Sequence, residues 1–469
     1  MFRFTQRRLA KDGAIRRRTA MLVGGLPWLP GLSRLLRAES ASAGMRTGGS
    51  IINIHLDGGP PHLDTIDPKP EAPVEIRGEF ECIATSLPGF HVTELMPYTA
   101  SIADRLIFIR SLVGSAGAHD AFQCQSGYRA ADLKSLGGRP AVGSVISHLL
   151  SDVTDASPGF IDLMQGRPLV RRSARPGFLG PAAQPFRPDI SHLFQRELEA
   201  GMKGELARLG TEHSISLTLS PLLTEHRVNE RQSLLRRLDR LQRSMDRSGM
   251  MEAMDQFGRQ ATGILMSGAL AEALDLSRED PHVLRRFTAP RSDSGNQSIT
   301  SEGPDSIRKF LLARRLIEAG ARCVSVSISD FDTHSDNFPR MRNLIPIVDF
   351  GLHALITDLD ERGLLDHTTV VVWGEFGRTP RIDPKTGGRH HWPRVGPALM
   401  VGGGLRGGVV IGETDRTGDS PVSRPVHYKD VFATLFHTLG IDARATTLTD
   451  PQGRPQFILD EGEVIREVT

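Results

Sequence analysis

Five stretches of this sequence gather carboxylates, imidazoles and guanidinium groups at spacings that suit a divalent cation or an anionic ester. They are Asp57-Gly-Gly-Pro-Pro-His62-Leu-Asp64, His119-Asp120, Asp330-Phe-Asp332-Thr-His334, Glu375-Phe-Gly-Arg378 and Arg389-His390-His391-Trp392. Mixed oxygen and nitrogen donors of this kind suit zinc, manganese or a similar divalent metal. A thiolate site is excluded, because Cys82, Cys124 and Cys323 lie far apart, and no disulfide framework is implied. Each stretch also has a plainer reading. Asp332-x-His334 and His62 with Asp64 can serve only their own turns, and Glu375 can be a helix cap. Arg378 either grips an oxyanion through two N–H groups or pairs with a neighbouring acid. Of His390 and His391, adjacent in sequence, only one is expected to face a given ion.

What would position these groups is a parallel sheet. The run Ile51-Ile-Asn-Ile-His-Leu56 reads as a buried strand stopped by Asp57-Gly-Gly-Pro-Pro61, and Leu106–Ile109 as a second. In the last third a helix over Ser306–Ala319 ends at Gly320. Strand Cys323–Ile328, a helix over about Asn343–Glu361, a stop at Gly363 and strand Thr368–Trp373 follow. This alternation predicts an α/β fold with a doubly wound, mostly parallel sheet flanked by helices. Ligands of such sheets bind beyond the carboxyl ends of the strands, where the chemical groups above fall. Gly402-Gly-Gly-Leu-Arg-Gly-Gly408 lacks the order of a phosphate-binding loop and reads as a turn between strands.

Between these elements Leu234, Leu238, Leu241 and Met245 mark an amphipathic helix, followed by another over about Met251–Leu276. A helical insertion over about residues 226–287 is expected, with a polar loop over 288–304. The chain carries 57 Lys and Arg against 55 Asp and Glu. Nine of the basic residues but only two acids fall in residues 1–43, so the remainder has 48 basic and 53 acidic residues, a net of about −5. No nucleic-acid partner is expected. Residues 1–43 read as an export signal of twin-arginine type: Arg16-Arg-Arg18, a weakly apolar core, then Ala41-Ser-Ala43 before a cleavage point. The protein is therefore expected in the periplasm or secreted, with no membrane span in its mature part.

Taken in order, several of these segments resemble one family. Asp57-Gly-Gly-Pro-Pro-His-Leu-Asp-Thr-Ile-Asp-Pro-Lys-Pro70, Arg175-Pro-Gly-Phe-Leu-Gly-Pro181, Asp275-Leu-Ser-Arg-Glu-Asp280, Phe331-Asp-Thr-His-Ser-Asp-Asn337, Gly374-Glu-Phe-Gly-Arg-Thr-Pro380 and Gly388-Arg-His-His-Trp-Pro393 are similar to the domain-of-unknown-function family 1501. That family is a sulfatase-like branch of the alkaline phosphatase superfamily. The resemblance covers everything after the signal, from about residue 48 to 469, and implies an alkaline-phosphatase-like core. Active superfamily members hold one or two divalent metals at the strand ends. Carried over by position, the metal ligands would be Asp57 or Asp64, Asp332, His334, Glu375 and His391.

The same resemblance exposes departures. Phe376 stands where those enzymes have a ligand His, and His390 where the family usually has an acid. The sulfatase nucleophile motif, Cys or Ser followed by x-Pro-x-Arg, is absent. In the corresponding region, Ser111–Arg129, the nucleophile candidates are Ser111, Ser115 and Ser126, with His119 and Asp120 nearby; Ser126, His119, Asp120 and Arg378 are the catalytic candidates. Two functions fit. One is a metal-dependent hydrolase of phosphate or sulfate esters acting outside the cytoplasm. The other is a catalytically silent binding or assembly protein that recognises an anionic glycan or a surface partner. Oligomeric state is not legible.

Overall fold

A computed structural model describes residues 49–134, 138–151, 155, 157–165, 173–190, 193, 268–288 and 300–469, all within the unit Gly48–Thr469. The expected export signal over 1–43 and the expected amphipathic helix through Leu234–Met245 lie outside the described residues.

Eight strands form one sheet: β1 (Ser50–Leu56), β2 (Ile107–Val113), β3 (Phe160–Asp162), β4 (Cys323–Ile328), β5 (Thr368–Trp373), β6 (Gly396–Gly402), β7 (Val409–Ile411) and β8 (Val426–His427). The spatial order is β7-β2-β6-β5-β1-β4-β3, with β8 added on β2. Only β6 runs antiparallel to its neighbours. The sheet is thus mostly parallel, with helices on both faces, as the alternation of elements predicts. β1, β4 and β5 are buried along their whole length, and each carries Ile, Val or Thr at about half its positions or more.

Alternate side chains of β1 serve opposite layers. Ile52, Ile54 and Leu56 join Val324, Val326, Val370 and Val372 in packing against α2 (Arg308–Glu318) and α3 (Asn337–Glu361). On the other face Ile51, Cys323, Val371 and Trp373 pack with α1 (Val142–Leu150) and α4 (Tyr428–Thr438). Asn53 and His55 share this second face. Asn53 is satisfied there, accepting from Trp373 Nε1–H at 2.8 Å and donating to the Cys124 carbonyl at 2.9 Å.

Several boundaries differ from those the sequence suggests. α3 starts at Asn337, six residues before the expected Asn343, because Pro339 sits in its first turn, where a missing N–H costs no helical bond. It then runs through Pro346 to Glu361. The expected helix over Met251–Leu276 is described only from residue 268. There Gly268, at φ 65°, stands outside helical geometry, and a short helix runs from Ala269 to Leu274. The stretch between β1 and β2 contains a hairpin, Cys82–Ala84 paired with His91–Thr93. No helix among the described residues is long and apolar enough to cross a membrane.

Candidate metal centre

Register brings the first groups together. His55 lies opposite Trp373 on one side and Ser327 on the other, so the residues that follow β1, β5 and β4 emerge side by side. The Asp57 N–H donates to the Ile328 carbonyl and the Phe331 N–H to that of Asp57, which ties the loops after β1 and β4 to each other. Glycine makes this approach achievable. Gly58 has φ +107°, and a Cβ there would fall 2.3 Å from the Asp332 nitrogen; at Gly59, φ +82°, it would fall 2.4 Å from the Phe376 ring.

A two-residue ladder adds the remaining groups. Gly377–Arg378 pairs with His391–Trp392, placing His391 over the strand ends. Phe376 stacks on the His391 ring at 4.2 Å, and His119 meets that ring edge-on at 4.5 Å. Phe376, the residue in place of an expected ligand histidine, is therefore a wall of the imidazole cluster.

Two sets of ligand-type atoms result: His119, Asp332 and His391, and His55, Asp57 and Glu375. Within each set the atoms lie within 4.8 Å of one another. His119 joins them, with Nε2 at 3.2 Å from Asp332 Oδ2 and Nδ1 at 3.2 Å from Glu375 Oε1. His391 Nε2 is 3.3 Å from Asp332 Oδ1, and His55 Nε2 is 3.3 Å from Glu375 Oε2. Bonds of about 2.0–2.1 Å to a tetrahedral zinc would set their donor atoms about 3.3 Å apart. His334 adjoins the first set, its Nε2 at 3.0 Å from Asp332 Oδ1 and 3.1 Å from His391 Nε2.

The deeper set also shows the signature of a missing partner. His55 Nδ1 and Nε2 and Glu375 Oε2 are buried without a hydrogen-bond partner among the described residues. The close approach of His55 Nε2 to Glu375 does not have hydrogen-bonding geometry. A buried polar atom left unsatisfied costs about 1–3 kcal/mol, so His55 Nε2 and Glu375 Oε2, 3.3 Å apart, call for a ligand that accepts lone pairs. The residues fit a divalent cation.

Electrostatics agree with that reading. Burial drives the His55 imidazole below its ordinary value, towards the neutral form that binds metal. Burial likewise lowers His334, against the attraction of Asp332. Burial opposes charge on Asp332, but His119, His391 and Arg378 outweigh it and hold the carboxyl far below the usual range. Glu375 is also held down: burial works to raise it, and the His119 hydrogen bond and the nearby His55 prevail. His119 loses charge to burial but gains more from Asp332 and Glu375, and rises to about 9.

Other residues singled out in the sequence stand elsewhere. Asp64 is in neither set. Its carboxylate is clamped by Arg389, Nε to Oδ2 at 2.9 Å and Nη2 to Oδ1 at 2.9 Å, and accepts from Asn337 at 2.7 Å. Arg378 is fully buried and directs its donors to Asp332 at 2.6 Å and to the carbonyls of Gly58, Gly59 and Arg389. Asp120 turns away from His119 and accepts the Phe122 N–H. Ser126 donates to the Phe122 carbonyl at 3.0 Å, Ser115 to that of Glu375 at 2.6 Å and Ser111 to that of Arg424 at 2.6 Å. The residue that sequence reading missed is His55. Its signal was a polar side chain alternating with Asn53 in an otherwise apolar central strand, two positions before Asp57.

The sequence profile of a family described as protein of unknown function (DUF1501) matches residues 49–469. No curated protein matches the chain. Among solved structures, the sulfatase PsFucS1 from Pseudoalteromonas sp. is similar at 12% identity and TM-score 0.35, over 88% of this chain and 72% of that one. A protein in the alkaline phosphatase superfamily from Vibrio parahaemolyticus has 12% identity and TM-score 0.33, over 85% and 68%. The phosphonate monoester hydrolase SpPMH from Silicibacter pomeroyi has 13% identity and TM-score 0.29, over 90% and 76%. Likeness this distant carries no argument about the reaction.

Proposed function

The chain belongs to the DUF1501 family of proteins of unknown function, and from its strand-end cluster we propose that it is a metal-dependent hydrolase of phosphate or sulfate esters acting outside the cytoplasm. The observation that carries this reading is the set His55, Asp57 and Glu375, in which His55 Nε2 and Glu375 Oε2 are buried without hydrogen-bond partners among the described residues, lying against His119, Asp332 and His391. A divalent cation bound there supplies positive charge for an anionic ester and makes water more acidic. The chain's own residues do the rest. Arg378 fixes Asp332 and the Gly58-Gly59 turn, so the carboxylate does not swing when an anion approaches. Phe376 shields one face of His391 from water and holds its ring in place. His119 bridges Asp332 and Glu375 and so ties the two sets of groups to each other.

Water, not a side-chain hydroxyl, is the nucleophile in this scheme. Ser111, Ser115 and Ser126 each point their hydroxyl proton at a backbone carbonyl rather than at a base. The same observation favours the second reading, a binding or assembly protein that keeps the fold without turnover. Aryl phosphates, phosphodiesters and aryl sulfates assayed with added Mn²⁺ or Zn²⁺ separate the two. Metal-dependent release of the aryl alcohol, lost in Glu375→Ala, supports the hydrolase. Bound metal with silence across the panel rejects hydrolysis of simple esters and leaves the binder.

A further inference from the structure

A groove of about 590 Å³ opens beside the cluster, between the loop 379–385 and the segment around Thr417 and Asp419. It is far larger than one phosphate or sulfate group needs and falls within the range of about 300–1,000 Å³ common to small-molecule sites. His390 lines it and connects it to the metal centre. His390 Nδ1 is 2.8 Å from His334 Nδ1, and His334 Nε2 is 3.0 Å from Asp332 Oδ1.

The lining has a consistent chemistry. Its acids are already engaged: Asp383 accepts from His390 Nε2 at 3.0 Å and from the Lys385 N–H, and Asp419 pairs with Arg394 at 2.9 Å. Its cations, Arg381 and Lys385, are exposed and form no ion pair among the described residues. Trp392 supplies an aromatic surface. Its indole is fixed by donation from Nε1 to the Asp419 carbonyl at 2.7 Å and by the Arg394 guanidinium 5.1 Å from the ring centre. Thr379 and Thr417 add hydroxyls, while Ile76 and Ile382 add short apolar patches. Alternating apolar and hydroxyl surface suits sugar rings, which present C–H faces and O–H edges. Two unpaired cations on one side suit negative charge on those sugars.

We infer that this groove is the leaving-group subsite and that it takes an anionic oligosaccharide, with Trp392 stacking a sugar ring and Arg381 and Lys385 binding its charged substituents. The inference rests on the hydrolase reading only for its direction, in placing the scissile group at the His390–His334 end. Binding in the groove is independent of turnover.

The test is calorimetric titration of the intact protein with a sulfated tetrasaccharide, its desulfated counterpart and a nucleoside monophosphate. The sulfated sugar is expected to bind best, with affinity falling as salt rises. The double variant Arg381→Ala/Lys385→Ala should weaken it roughly tenfold or more, as loss of charge-assisted hydrogen bonds does. Trp392→Ala should weaken both sugars, and Trp392→Phe should restore part of the loss. Undetectable binding of the sulfated sugar, equal binding by the double variant, or preference for the nucleotide overturns the inference. Failure of the aryl-ester assay leaves this titration untouched, so the two readings fail separately.

Discussion

Replacing Asp64 with Asn keeps the side chain's size but removes the carboxylate that pairs with Arg389. Both partners are fully buried, the contact is bidentate at 2.9 and 2.9 Å, and Asn337 donates a third bond at 2.7 Å. Arg389 also donates to the carbonyls of Ile76, Thr379 and Pro380, so its guanidinium cannot leave for water without dismantling that turn. An uncompensated buried charge of this kind costs about 3–5 kcal/mol. Asp64→Asn should therefore lower the free energy of unfolding in urea by that amount, while the protein that remains folded binds as much zinc or manganese as the wild type. Metal loss with stability unchanged would mean that Asp64 is a ligand after all and that its pairing with Arg389 is incidental.

Two further outcomes follow from buried groups. Ser126→Ala should keep ester turnover within the same order of magnitude, because its hydroxyl serves the turn at Phe122 and Tyr128; a loss of about a thousandfold in a variant of normal melting temperature would make it the nucleophile. Asp349 accepts the Tyr98 and Thr99 N–H groups at 3.0 and 2.6 Å, yet burial pushes its carboxyl up to about 6. Its folded value lies above the unfolded one, so its contribution to stability is full below about pH 4 and is lost as the pH rises through about 6. Wild type should thus lose roughly 2–3 kcal/mol relative to Asp349→Asn between pH 4 and pH 7, and melts with no such divergence would refute the assignment.

The strands were legible because a parallel sheet buried on both faces favours short runs rich in Val and Ile with no charged residue. Cys323–Ile328 and Thr368–Trp373 emerge with the ends the sequence suggests, each bounded by glycine or by a loop that cannot extend it. The loops after them were legible as chemical for the same reason. Which of their carboxylates converge was not. Asp64 and Asp57 look alike in sequence, and only Arg389, 325 positions away, distinguishes the clamped one. His55 was hidden by its strand, where a polar residue reads as tolerated core. His119 reads as one of a His-Asp pair, but the two side chains diverge, one into the cluster and the other into its own turn. The helix after strand Cys323–Ile328 starts six residues earlier than its apolar pattern suggests, with Pro339 in its first turn, where a missing N–H costs no helical bond.

Metal counting on protein stripped with a chelator and then dialysed against limiting zinc or manganese bears most directly on the cluster. The wild type should take up to two ions, with His55→Ala or Glu375→Ala losing the ion held by the deeper set. A folded wild-type protein that takes up neither metal, or variants that take up as much as it does, would contradict that expectation.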